Sequence, residues 1–154
     1  MIIQISKDEC IIFEYIPHNN KLKPMANIKF QYAGNKEIFF PALIDSGADK
    51  SCSFVSIGKK LGIDFSDYDK QKNIAFGLSG KGVPGYIAPL SFWIGNNCIT
   101  TDITWLDIKF DPQKHYFFLL GREVIFGHFD IVFQEHKKRI IFRKVLYQSH
   151  QTIR

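Results

Sequence analysis

The chain has few of the features that small extracellular or metal-stapled proteins rely on. Its only three cysteines, Cys10, Cys52 and Cys98, are widely separated and never form a Cys-x-x-Cys pair. Neither a disulfide framework nor a zinc site is therefore suggested, and reduced, mostly buried thiols are expected. The five histidines, His18, His115, His128, His136 and His150, have no metal-ligand spacing, so no metal or other cofactor is expected. No apolar run approaches the ~20 residues that cross a bilayer, and the N-terminus lacks the basic start, long apolar stretch and small-residue cleavage site of a secretory signal. A soluble cytoplasmic protein with no membrane partner is the expectation. Internal repeats, low-complexity tracts and clear linkers are also missing.

What is present is apolar and aromatic. Hydrophobic residues make up 45% of the chain and 15 Phe stand beside 6 Tyr, which excludes a disordered tail as the general description. A chain of 154 residues suits one ordinary domain and can bury roughly two-thirds of its unfolded surface. Lys and Arg outnumber Asp and Glu by 20 to 15, a net charge of +5, which permits weak attraction to nucleic acid without demonstrating it. Much of that charge lies in His136, Lys137, Lys138 and Arg139, between the apolar stretches 130–133 and 140–142. A solvated hairpin turn accounts for the run, with a phosphate-binding patch as the alternative, and nucleic acid is not the expected partner.

The apolar stretches are short, rich in Ile, Phe, Val and Tyr, and separated by Gly, Asn, Asp or Pro. That punctuation belongs to an antiparallel all-β protein. Strands are expected over residues 2–5, 10–16, 27–32, 37–44, 51–55, 73–77, 86–94, 98–105, 117–120, 130–134 and 139–145. Two segments break the pattern. Residues 56–62, with Ser56 as a capping residue and Gly62 as a stop, read as one short helix or turn, and residues 122–129 as a second. Residues 18–24 read as a flexible connection behind an N-terminal hairpin.

One segment carries chemistry. The apolar strand Phe39-Phe40-Pro41-Ala42-Leu43-Ile44 runs straight into Asp45-Ser46-Gly47-Ala48-Asp49, delivering a carboxylate to the end of a buried strand where the backbone must turn sharply. A buried Asp is costly unless hydrogen-bonded; an adjacent hydroxyl can supply a bond, and a Gly lets backbone amides approach. As a bare tripeptide, Asp-Ser-Gly is usually only a turn between strands.

With its context, the segment resembles the signature of the retroviral-type aspartic proteases, the retropepsin family: an apolar strand followed by Asp-Ser/Thr-Gly-Ala. Downstream, Phe118-Leu119-Leu120-Gly121-Arg122-Glu123 resembles the apolar-apolar-Gly-Arg-Asn/Asp segment of that family, with Glu123 as a departure. Between them, the glycine-rich stretch from Phe76 to Tyr86 is similar in position to the flap hairpin, although a long glycine-rich surface loop explains it too. The resemblance implies a closed β-barrel with one or two short helices. It makes residues 25–147 the protease-like domain, after an N-terminal strand or hairpin extension at 1–24 and before a tail at 148–154. By position it implies that Asp45 is the catalytic carboxylate. Ser46 and Gly47 would support it, Ala48 and Asp49 would bind substrate, Gly77, Leu78, Ser79 and Gly80 would form the flap, and Gly121 and Arg122 would be structural or interface residues, Arg122 pairing with Asp49.

Aspartic proteolysis needs two carboxyl groups about 3 Å apart sharing one proton. The chain has a single Asp-Ser-Gly, and Asp102, Asp107, Asp111 and Asp130 lack the hydroxyl and glycine neighbours. The expected active species is therefore a homodimer with its active site at the interface, one Asp45 from each subunit, acting on a peptide or protein substrate. The alternative is a catalytically weak or inactive module of the same fold that dimerises or binds peptides. Ile44, Leu78, Ile87 and Val124 are the candidates for shaping substrate pockets.

Overall fold

Alternation of apolar and polar side chains resolves into strands in almost every expected place. The computed structural model describes residues 2–5, 10–32, 36–76 and 82–145. In chain order the elements are β1 (Ile2–Ile5), β2 (Cys10–Glu14), β3 (Ile16–His18), β4 (Lys21–Lys23), β5 (Met25–Tyr32), β6 (Lys36–Ile44), β7 (Cys52–Phe54), α1 (Val55–Lys60), β8 (Gln71–Phe76), β9 (Gly82–Ile94), β10 (Asn97–Leu106), β11 (Phe118–Leu120), α2 (Arg122–His128), β12 (Phe129–Gln134) and β13 (Arg139–Lys144). Among the described residues the fold is thus mostly β with two short α-helices, neither long and apolar enough to cross a membrane.

The larger sheet runs β10-β7-β11-β6-β5-β9-β8, and β10 also pairs with β9, so the pairings close into a ring. A second sheet, β1-β2-β13-β12, and the two-stranded β3-β4 complete the pairing. Ring closure removes most of the exposed backbone edges that an open sheet would leave. The core between the sheets is built on aromatics. Phe118 is fully buried, with ring centroids 5.1 Å from Phe30, 5.9 Å from Phe40 and 6.2 Å from Trp105. The indole N–H of Trp105 donates to the Ala88 carbonyl at 3.1 Å, which satisfies its one buried polar atom. β2 contributes Ile11, Phe13 and Tyr15 to the same core.

Three local readings are revised by the backbone. Residues 18–24 form no flexible connection: Asn19 and Asn20 both take positive φ, 50° and 60°, making a tight two-residue turn that joins β3 to β4 with His18 opposite Lys21. Asn tolerates the left-handed region that such turns demand at both positions. Ser56 does not cap α1, because the helix starts one residue earlier after Phe54 and has no side-chain cap; Gly62, at φ +86°, does close it. The thiols are not mostly buried: Cys98 is exposed and Cys10 and Cys52 are half-buried, Cys10 and Cys98 alternating along their strands with the buried Ile11 and Ile99. The basic run is a solvated turn, with Lys138 in the left-handed region joining β12 to β13.

Truncating Phe118 should expose how much rests on this aromatic stack. Phe118→Ala is expected to lower unfolding free energy by about 3–5 kcal/mol, read from denaturant titration; a loss below about 1 kcal/mol would mean that the stack closes over the cavity.

Candidate active site

Strand β6 ends at Ile44, whose side chain is 2% exposed and sits in the core rather than in a substrate pocket. It is flanked by the parallel partner β11, with Leu120 opposite Ile44. One residue further, the Asp45 N–H donates to the Leu120 carbonyl at 3.0 Å, so the strand register continues into the acid itself. The chain then turns. The Gly47 N–H donates to Asp45 Oδ1 at 2.8 Å, and the Ala48 N–H to the Asp45 carbonyl at 3.3 Å. This is a side-chain-directed turn in which the carboxylate orients the loop that carries it. A Cβ on Gly47 would stand 3.2 Å from Asp45 Oδ1, crowding that bond. Asp45 is half-buried, while Ser46 and Gly47 are exposed, leaving the acid at a surface rather than sealed in the core.

The far side of the loop is locked to the start of α2. The N–H groups of Arg122 and Glu123 donate to the carbonyls of Ala48 and Asp49 at 2.8 and 2.9 Å. First-turn N–H groups have no partner inside their own helix, so loop and helix satisfy each other here. Gly121 N–H donates to Ser51 Oγ at 3.1 Å, and a Cβ at Gly121 would come within 2.5 Å of the Lys50 carbonyl oxygen and 2.7 Å of that of Asp49. Backbone atoms cannot give way as a flexible side chain can, so this position requires glycine. The Arg122 guanidinium hydrogen-bonds Asp49 Oδ1. That bond, followed by the Asp49 charge, raises the Arg122 pKa above its ordinary value.

Sequence reasoning passed over two residues that hold this arrangement. Ser51 is buried and accepts the Gly121 N–H; Ser53 is fully buried and donates to the Phe117 carbonyl at 2.7 Å. Both are polar residues inside the expected strand 51–55, which was the available signal. Cys52 lies between them. Its thiol is pushed up to about 11, first by burial and then by the negative charge of Asp45, so the two groups share one electrostatic environment.

The other candidate acids have surroundings of their own. Asp107 pairs with Lys70 at 2.5 Å, and Asp111 accepts the Gln113 N–H at 2.9 Å. Asp130 sits opposite Arg143 on the outer pair of strands. Asp102 lines a cavity of about 220 Å³ with Lys50, Ile87 and Glu123. Among the described residues no three His, Cys, Asp or Glu side chains are grouped to hold a metal ion. β8 and β9 form a hairpin with Phe76 opposite Gly82; its tip, including Gly77, Leu78, Ser79 and Gly80, lies outside the described residues, as does the side chain of Val124.

The coupling between Asp45 and Cys52 can be measured. Because the folded thiol titrates near 11 against an ordinary 9.0, the linkage is stabilising below pH 9 and is lost as pH rises towards the folded value. Asp45→Asn removes one of the two causes, so the pH midpoint for alkylation of Cys52 in the folded protein should move down yet stay above that of an ordinary thiol. An unchanged midpoint would place the two groups out of electrostatic contact.

No protein-family model and no curated protein matches the chain. Solved structures do. The chain is similar to the retroviral protease-like domain of Ddi1 from Leishmania major, with a TM-score of 0.53 and 11% identity over 84% of this chain and 99% of that one. It also aligns with a retropepsin-like aspartic protease from Rickettsia conorii, with a TM-score of 0.46 and 18% identity over 94% of this chain and 89% of that one. The fold of this chain is retropepsin-like, a likeness that holds for the backbone while nearly nine residues in ten differ from the Leishmania domain.

Proposed function

We propose that the protein is a homodimeric aspartic endopeptidase whose catalytic dyad is made of the Asp45 carboxyl groups of two copies. The observation that carries this reading is the half-buried Asp45, held at a strand end by the Leu120 carbonyl and accepting the Gly47 N–H, within a retropepsin-like fold. One carboxyl group per chain is half of the chemistry, and a two-fold axis beside the exposed Ser46-Gly47 turn supplies the other half. In this reading the closed ring of strands acts as a barrel, with residues 25–147 as the protease-like domain. The residues before them form an extension, and 148–154 a tail. Ser46 bonds across the axis, and Gly47 and Ala48 leave room for the peptide. Asp49, held by Arg122, receives substrate backbone, and the β8–β9 hairpin serves as the flap.

The reaction follows from the shared proton. Two carboxyls in contact cannot both ionise, so one is protonated and the other anionic at working pH. The anionic Asp45 takes a proton from a water molecule as its oxygen attacks the scissile carbonyl carbon. The protonated Asp45 gives its proton to the carbonyl oxygen, forming a neutral tetrahedral diol. Collapse of the diol breaks the C–N bond: the amide nitrogen receives the proton taken from water, and a diol hydroxyl returns its proton to the other carboxylate. No covalent intermediate forms. Activity depends on a singly protonated pair and is therefore bell-shaped in pH, with its optimum on the acidic side.

The test is cleavage of a broad peptide library by purified protein. Asp45→Asn should lower turnover by a factor on the order of 10²–10⁴ while leaving the dimer intact. A variant that cuts as well as the parent removes Asp45 from the chemistry. A parent protein that dimerises without cleaving any peptide would instead indicate the binding-module reading.

A further inference from the structure

A second cavity lies well away from Asp45. It encloses about 400 Å³ and is lined by residues of both larger sheets, within the size range of sites for small ligands and short peptide segments. Cross-strand register builds one wall. Lys29 on β5 is opposite Phe39 on β6 and opposite Trp93 on β9, and directly paired residues on neighbouring strands point to the same face. Phe39, Lys29 and Trp93 therefore form one row across three strands. The four-stranded sheet supplies Ile11 from β2 and Lys144 from β13. The position is remote from the proposed dyad: Phe39 precedes Asp45 by six residues on the same strand line, about 20 Å at the usual rise per residue.

The row is not packed like core. Phe39 is 53% exposed, the most exposed large apolar side chain among the described residues, and Trp93 is half-buried. Asn27 and Asn96 also line the cavity, and neither side chain has a hydrogen-bond partner among the described residues. Each carboxamide offers one acceptor and two donors, which complement a peptide bond. The charges, by contrast, are already met. The Lys29 ammonium lies 2.9 Å from Glu37 and 5.9 Å from the Trp93 ring centre, and Lys144 has a partner of its own. The cavity thus suits an occupant that is apolar, presents backbone amides and brings no charge.

Strand β13 leads into this opening. Ile140 and Phe142 are fully buried, Lys144 follows on the same face by strand alternation, and it lines the cavity. The Val145 N–H still donates to the His128 carbonyl at 3.0 Å, which holds the backbone where the described residues end. The segment that follows, Leu146-Tyr147-Gln148-Ser149-His150-Gln151-Thr152-Ile153, opens with an apolar pair and contains no Asp, Glu, Lys or Arg. From Lys144 to Gln148 an extended chain spans about 13 Å, and the Phe39-Lys29-Trp93 row spans two interstrand spacings, about 10 Å. We infer that the cavity is the seat of this segment of the same chain. Leu146 and Tyr147 cover Phe39 and Trp93, and the backbone amides around them bond Asn27 and Asn96. So short a tether gives the segment an effective concentration on the order of 1 mM, so an affinity of about 0.1 mM keeps it seated. The strap ties the four-stranded sheet to the larger one, whether or not Asp45 cleaves anything.

The test uses the full chain with Trp93 as reporter; the only other tryptophan, Trp105, is fully buried and should not respond. Replacing Leu146 and Tyr147 together by Ala should shift Trp93 emission to longer wavelength and increase its quenching by acrylamide. The nonapeptide Val-Leu-Tyr-Gln-Ser-His-Gln-Thr-Ile, which copies residues 145–153, should then bind the double variant saturably and reverse both changes. It should bind the parent roughly tenfold more weakly, because the parent's own segment competes. Adding Phe39→Ala to the double variant should weaken peptide binding roughly tenfold, and Phe39 is exposed enough for that variant to fold. Asp45→Asn should alter none of these readings. The inference is overturned if Trp93 of the parent and of the double variant is quenched alike, if the peptide fails to bind the double variant at millimolar concentration, or if it binds the parent or the Phe39→Ala protein equally well. Protection of Trp93 in the parent that grows with protein concentration would give the seat to a second copy's segment and overturn it too.

Discussion

The site depends on the mutual satisfaction of two backbone segments that would each be deficient alone. The loop after β6 presents carbonyl oxygens at Ala48 and Asp49 with no strand to donate to them, and the first turn of α2 presents N–H groups at Arg122 and Glu123 with no helical partner. Each completes the other at ordinary hydrogen-bond length. Closure to that distance requires glycine at 121, because any Cβ would strike the carbonyls of Asp49 and Lys50. The Asp49 and Arg122 side chains then tie the same two segments from outside. Both are more than half exposed, so water screens that ion pair and the backbone bonds hold most of the geometry.

Asp45 inherits its position from this lock. β11 lies between β6 and β7, parallel to the first and antiparallel to the second, and its last residue receives the Asp45 N–H. Beneath it the phenylalanine stack around Phe118 fixes where β11 runs. A chain of contacts thus leads from aromatic packing to the orientation of one carboxylate. The loop itself stays exposed at Ser46 and Gly47, as the proposed dyad requires. Cys52, which feels the charge of Asp45 from the strand behind, is the internal reporter of that arrangement.

Much of this was legible in residue order, and the parts that were not share a cause. Strand positions came from local punctuation, and the Asp45 and Gly121 segments from short motifs whose chemistry is local. Pairing of β2 with β13, over 120 residues apart in the chain, has no local signature beyond two apolar stretches. Residues 18–24 looked flexible because they lack apolar alternation, yet two asparagines in the left-handed region are enough to close a hairpin. β9 starts at Gly82, four residues before the expected boundary, because backbone pairing with β8 holds a Gly-Val-Pro-Gly stretch that composition assigns to a loop. Ser51 and Ser53 were hidden for a different reason: their partners, Gly121 and Phe117, lie 70 and 64 residues away. Short-range chemistry was readable, and long-range satisfaction of polar groups was not.

The central claim is that each active centre takes its two carboxyl groups from two chains. Mixing the parent protein with increasing fractions of Asp45→Asn under conditions that allow subunits to exchange tests this directly, with total protein held constant and peptide cleavage as the readout. If both copies must supply Asp45, activity should fall as the square of the parent fraction. A strictly proportional fall, as for chains that act alone, would contradict the account.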